Sequence, residues 1–201
     1  MRDMTIQEFC DFHGACQEGR WWALANCSSM KEVWNKAKPV WLLWVATRRG
    51  VLSDPELRLF AVWCARQVQH LMADDRSVAA LDVAERYARG EATELELDAA
   101  RVAATVAARA AVGDPAMAAG WAAARAAAAD PATAAAMAAA MAADAEATAA
   151  ARAAAGDPAM DKDAACWSAC WFAACAAQAD HLRATCIPRF TRVEEQVEVT
   201  L

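Results

Sequence analysis

The sequence predicts an all-α protein: a bundle of about eight to ten helices with an alanine-rich C-terminal half. Three observations carry this. Apolar residues between Leu52 and Ala111 recur at steps of three and four, the period of a helix buried on one face. Helix start and stop signals recur along the whole chain. From 103 to 155, 33 of 53 residues are Ala, the strongest helix former. The expected organisation is a single helical domain over 1–201. It runs through Trp-rich helices (1–50), a central helical segment (52–112), alanine-rich helices (113–187) and an irregular tail (188–201). The Trp-rich and alanine-rich halves are expected to pack on each other.

Thr5 and Glu8 have the spacing of a capping box, in which an N-cap hydroxyl and a third-position carboxylate satisfy each other's backbone N–H groups, so a helix is expected from about Ile6. Gly14 and Gly19 weaken helix formation in the next stretch. Trp21 to Leu24 belong to a second short helix ending near Cys27, Ser29 and Glu32 cap a third, and Lys38-Pro39 opens a fourth that stops near Gly50. This block holds five of the nine Trp residues. Such a cluster reads first as core, because each ring buries a large area. Trp21 and Trp22 point in different directions on a helix, so one of them is a candidate for exposure.

Ser53, Asp54, Pro55 and Glu56 open the next helix, with Ser53 and Asp54 competing as N-cap. Leu57, Phe60, Ala61, Cys64, Val68 and Leu71 form its apolar stripe, with Arg58, Arg66 and Gln69 off it. A helix from about Arg76 to Arg89 is stopped by Gly90, and another runs from the Thr93/Glu96 box to about Val112. Asp-Pro recurs at 54–55, 114–115, 130–131 and 157–158, each read as an N-cap followed by a first-turn Pro. The helices implied are about 115–129, 131–155 and 158–185. GDPAM occurs twice, at 113–117 and 156–160. Met117, Trp121, Met137 and Met141 are the expected knobs between alanine faces. Arg109, Arg125, Arg152, Asp144 and Glu146 mark the expected wet face. Helical ice-binding faces need regularly spaced Thr, and here Thr133 and Thr148 are isolated.

The run PELRLFAVWCARQVQHL, continued by DDRSVAALDVAERYARGEATELELDAARVAA, resembles a helical domain of bacterial and phage proteins, some of which are labelled immunity proteins. In that family a D-x-x-LRLFA, C-R, HL, DERS, VAERYA-x-G, EL-x-AAR pattern precedes a long alanine-rich tract. The match covers the middle third of this chain and extends to the alanine-rich character of the segment after it. The resemblance implies binding and silencing of a toxin, and carries over no catalytic residue.

The net charge of −6 argues against a nucleic-acid binder, which needs clustered Lys and Arg, and permits a basic protein partner. No run of about 18 strongly apolar residues marks a membrane span, and MRDMTIQEFCDF lacks the basic and apolar regions of a signal peptide. The eight Cys then read as reduced thiols in a cytoplasmic protein. Cys10, His13 and Cys16, with Cys166 and Cys170, are the candidate metal ligands. Their spacing is intrahelical, however, and buried thiols acting as small apolar residues is the simpler reading. His70, at the end of its helix before Asp74 and Asp75, reads as a dipole partner. G-x-S-x-G, H-E-x-x-H, P-loop and G-x-G-x-x-G patterns are absent.

The expected function is therefore a non-catalytic, protein-binding inhibitor or immunity-type protein. It would need no cofactor and would occlude a toxin or a host defence factor. Trp22, Trp121, Asp74 and Asp75 are the candidate contact residues. The alternatives are a structural, self-assembling helical protein and a small zinc-binding one.

Overall fold

Ten α-helices account for the regular structure of the computed structural model, which describes residues 2–155 and 164–191. Strands are absent among the described residues; two isolated bridges, Asp3 with Thr191 and Arg49 with Leu52, are the only extended pairings there. The described residues divide into two compact units, 2–52 with 187–191, and 53–186. No described helix is long and apolar enough to cross a membrane.

The first unit contains α1 (Ile6–His13), α2 (Gln17–Asn26), α3 (Met30–Lys36) and α4 (Pro39–Ala46). The capping box on Thr5 and Glu8 forms, and Gly14 ends α1 at φ +67°, a conformation that spares only a residue without Cβ. Cys16 caps α2, its Sγ accepting from the Gly19 N–H at 3.4 Å. Ser29 caps α3 as expected. The start of the tail docks here: the Met4 N–H donates to the Phe190 carbonyl, the Arg189 N–H to that of Val51, and the Phe190 ring is buried against Phe9 and Trp34. The rest of the tail, 192–201, lies outside the described residues.

The second unit contains α5 (Asp54–Gln67), α6 (Asp75–Ala88), α7 (Glu94–Ala110), α8 (Asp114–Ala126), α9 (Pro131–Ala155) and α10 (Ala164–Thr185). α9 packs along α5, α8 and α10; α7 packs on α6 and α8. Ser53, not Asp54, is the N-cap of α5, with a complete capping box to Glu56. Of the Asp-Pro pairs, Asp54 and Asp114 are the first helical residues, and only Asp130 acts as a cap, accepting from the Thr133 N–H at 2.7 Å. The fourth pair and the second GDPAM fall outside the described residues. α5 ends at Gln67, so Leu71 sits in a separate 3-10 turn, Gln69–Leu71, with an exposed His70.

The core of this unit is largely alanine. Ala80, Ala104 and Ala124 form one cluster, with Trp121 half-buried against it. Met117 is not a knob but is exposed, and Met137 and Met141 are half-buried. The reason is spacing: alanine faces bring backbones so close that long side chains are pushed to the margins. At Gly120 on α8, a Cβ would lie 3.0 Å from both Cα and Cβ of Ala108 on α7.

Arg58 departs furthest from expectation. Although off the apolar stripe, it is only 3% exposed. Its guanidinium donates to the carbonyls of Ala126 (3.2 Å), Ala128 (2.7 Å) and Ala129 (3.1 Å), where α8 ends, and lies 5.0 Å from the Tyr87 ring centre. These are orphan carbonyls at a helix C-terminus, where a cation is also favoured by the dipole.

Both contacts bear on stability. Gly120→Ala is expected to lower it by about 1–3 kcal/mol through overpacking against Ala108. Arg58→Met should cost about 2–4 kcal/mol, because the buried Ala126 carbonyl and the part-buried carbonyls of Ala128 and Ala129 lose their donor. Urea unfolding followed by circular dichroism measures both; a wild-type midpoint in either variant would contradict the corresponding packing.

Candidate functional site

The four short helices of the first unit enclose an apolar cavity of about 390 Å³. Each helix contributes at its own period: Cys10 from α1, Gly19 and Trp22 from α2, Met30 from α3, Val40 and Trp41 from α4. A cavity of this size and lining is of the kind that takes an apolar group. The Trp22 and Trp41 rings lie 5.2 Å apart at 49°, and Phe9 meets Trp44 edge-on at 6.3 Å. Gly19 faces this wall; a Cβ there would press on Cys16 Sγ at 3.3 Å and make ordinary contact with the Trp41 ring at 4.0 Å. Val40 is 54% exposed, so the cavity meets solvent along α4.

Two cations beside the cavity are paired with carboxylates, and Arg48 stands 4.8 Å over the Trp44 ring. Arg20 pairs with Asp11, and Lys38 reaches Glu18 at 3.6 Å while its Nζ stands 4.3 Å over the Trp41 ring. The Cys10 thiol is pushed up, chiefly by burial, and stays protonated. His13 packs against Phe9, tilted at 50°, and edge-on against Phe12, with ring centres at 4.4 and 4.8 Å, and its buried Nε2 has no hydrogen-bond partner among the described residues. Burial, and then Arg48, hold its imidazole below its ordinary value.

The expected contact residues are not gathered at this cavity. Trp22 lines it and is half-buried; its neighbour Trp21 is the exposed member of the pair, at 64%. Trp121 belongs to the second unit, between the guanidinium groups of Arg109 (5.9 Å) and Arg125 (5.5 Å). Asp74 is committed locally. It caps α6 through the Arg76 N–H and is ion-paired with the Arg76 side chain, which together lower its carboxyl to about 2, the side chain contributing most. Asp75 is exposed in the first turn of α6.

The candidate metal ligands are also divided. Cys10, His13 and Cys16 lie in the first unit and Cys166 and Cys170 in the second, and all are free thiols or imidazole. Among the described residues no group of three or more His, Cys, Asp or Glu is arranged to hold a metal. Sequence reasoning missed Val40 and Gly19 as parts of a site. The one available signal was a pair of small or β-branched residues beside Trp on two neighbouring helices.

No family model matches the chain, and no curated protein or solved structure is significantly similar to it.

His13 makes a testable contribution to pH dependence. Its folded-state value lies below the ordinary 6.5, so the unfolded chain binds the proton more readily. Stability is then full above 6.5 and is lost as the pH falls from there towards the folded value. His181, lowered by burial beside the Trp63 ring at 3.9 Å, acts in the same direction. His13→Leu is therefore expected to keep its stability at pH 7 and to lose less than wild type between pH 6.5 and pH 5. Thermal melts across that range are the check, and parallel losses in the two proteins would refute the assignment.

Proposed function

We propose that this chain is a non-catalytic, protein-binding inhibitor of the immunity type, which occludes a toxin or a host defence factor in the cytoplasm. The carrying observation is the apolar cavity of the first unit, walled by Trp22 and Trp41 and open along Val40. Apolar pockets that accept one aliphatic or aromatic anchor dominate the energetics of protein interfaces, while the polar residues around them exclude water. Arg20 and Lys38 beside the cavity already have carboxylate partners in Asp11 and Glu18. The occupant is accordingly an uncharged side chain presented by a partner, not an anionic ligand. The net charge of −6 favours a partner whose surrounding surface is basic, since complementary fields steer encounter and raise the association rate.

The test is a comparison of two baits in lysate of the native host, the tagged protein and its Val40→Glu variant, with recovered proteins identified by mass spectrometry. Val40 is exposed, so the variant keeps its fold while placing a carboxylate at the cavity edge. One protein recovered in stoichiometric amount by wild type and weakened at least about tenfold by Val40→Glu is the expected result. Equal recovery by both baits would remove the cavity from the interface. Recovery of nothing by either would overturn the inhibitor reading.

A further inference from the structure

We propose that α7 is a self-association surface on which a second copy of this chain docks antiparallel, about a two-fold axis. The face of α7 that its own unit leaves open carries this. Leu97, Ala104 and Ala108 turn inward and are buried. On the opposite side Leu95, Val102 and Val106 are 81%, 49% and 48% exposed, with an exposed Ala99 between them. The intervals 95, 99, 102 and 106 alternate four and three, the 3.5-residue repeat of a helix that packs against another helix along a narrow seam. Left in water, this spaced series keeps its apolar area hydrated; a helix partner along the same seam would bury it.

Charge selects the occupant and its direction. The acids of α7 (Glu94, Glu96, Asp98) precede its bases (Arg101, Arg109). Three of these five are already committed. Glu96 closes the capping box and pairs with Arg86, and Asp98 pairs with Arg101. Glu94 and Arg109 are the two charges of the helix with no ion pair among the described residues, Arg109 having only the Trp121 ring at 5.9 Å, and they stand at its two ends. A parallel pairing would set each against its own kind. An antiparallel pairing sets each against the other, twice per dimer, and also opposes the helix dipoles.

The seam has a register that suits this arrangement. With the axis between Ala100 and Arg101, Leu95 meets Val106 of the second copy, and Ala99 meets Val102. Arg109 then falls opposite Ala92, just before the second copy's N-cap Thr93 and about 3 Å along the axis from Glu94, within reach of its long side chain. Large residues lie at the ends of the seam and the small Ala near its centre, where the two backbones come closest.

Sedimentation velocity of the full chain over a concentration series tests this, with circular dichroism as the control for folding. All substituted positions are exposed, so each variant should give the wild-type spectrum, and at concentrations where the chain is monomeric a melting curve near wild type, Arg109→Glu losing only its exposed contact with the Trp121 ring. Wild type is expected to move from the mass of one chain to that of two. Val106→Glu should weaken dimerisation at least about tenfold. Arg109→Glu should weaken it severalfold, and the double variant Glu94→Arg/Arg109→Glu should recover it, because both contacts are reversed together. Three results would overturn the proposal: a wild-type protein that stays monomeric throughout the series, a Val106→Glu variant that dimerises like wild type, or a double variant no better than the single. Val40→Glu lies in the other unit and leaves dimerisation unchanged, so the inhibitor reading and this one fail separately.

Discussion

The Arg58 guanidinium is the constraint on which the second unit depends. An alanine tract would run on as one helix, but Pro131 has no N–H to donate to the Ala127 carbonyl and disfavours a helical Asp130, so the tract breaks before it. The turn between α8 and α9 that results leaves carbonyls without helical partners. Arg58 reaches across from α5 and donates to three of them. Its planar, pre-organised fork presents several donors at once and loses less freedom per hydrogen bond than a lysine ammonium. One buried cation therefore satisfies the carbonyls where α8 ends and ties α5 to the turn between α8 and α9.

Alanine packing explains the rest of this unit. Each Ala buries little area, so stabilisation per residue is small. Closeness compensates, because small faces allow backbones to approach and bring many atoms into dispersion contact. Gly120 against Ala108 is the limit of that approach. Specificity then has to come from a few larger or polar anchors. Gln178 donates to the Ala139 carbonyl at 2.9 Å from a buried position, which joins α10 to α9 at one register. Trp63 and His181 stack at 3.9 Å and 8° between α5 and α10.

The first unit works the opposite way. Its helices are 7–10 residues long, too short to be stable alone; side chains cap α1, α2 and α3, Pro39 opens α4, and each carries aromatic rings in its middle. Rings are bulky and rigid, so four short helices that carry them do not close completely. The cavity is the space that remains between Trp22, Trp41 and their neighbours.

The all-helical class and the positions of most helix ends were legible in the sequence, because they depend on local chemistry: a hydroxyl accepting from the third residue on, a glycine at positive φ, a proline in a first turn. Thr5, Ser29, Ser53 and Thr93 all behave as their spacing indicates. The sites were not legible in the same way. Helical periodicity places Arg58 off the stripe of α5, and only the arrival of α8 makes that position a buried one. α7 carries apolar residues on two faces, Leu97 on one and Leu95 on the other, and periodicity alone cannot say which face its neighbours take. Trp21 and Trp22 are chemically identical neighbours, separated only by where α4 lies. Helix formation is a matter of residues within one turn of each other, and the sequence by itself determined it. Which faces are covered, which stay open and where a cavity remains are set by distant segments meeting, and only the tertiary structure decided them.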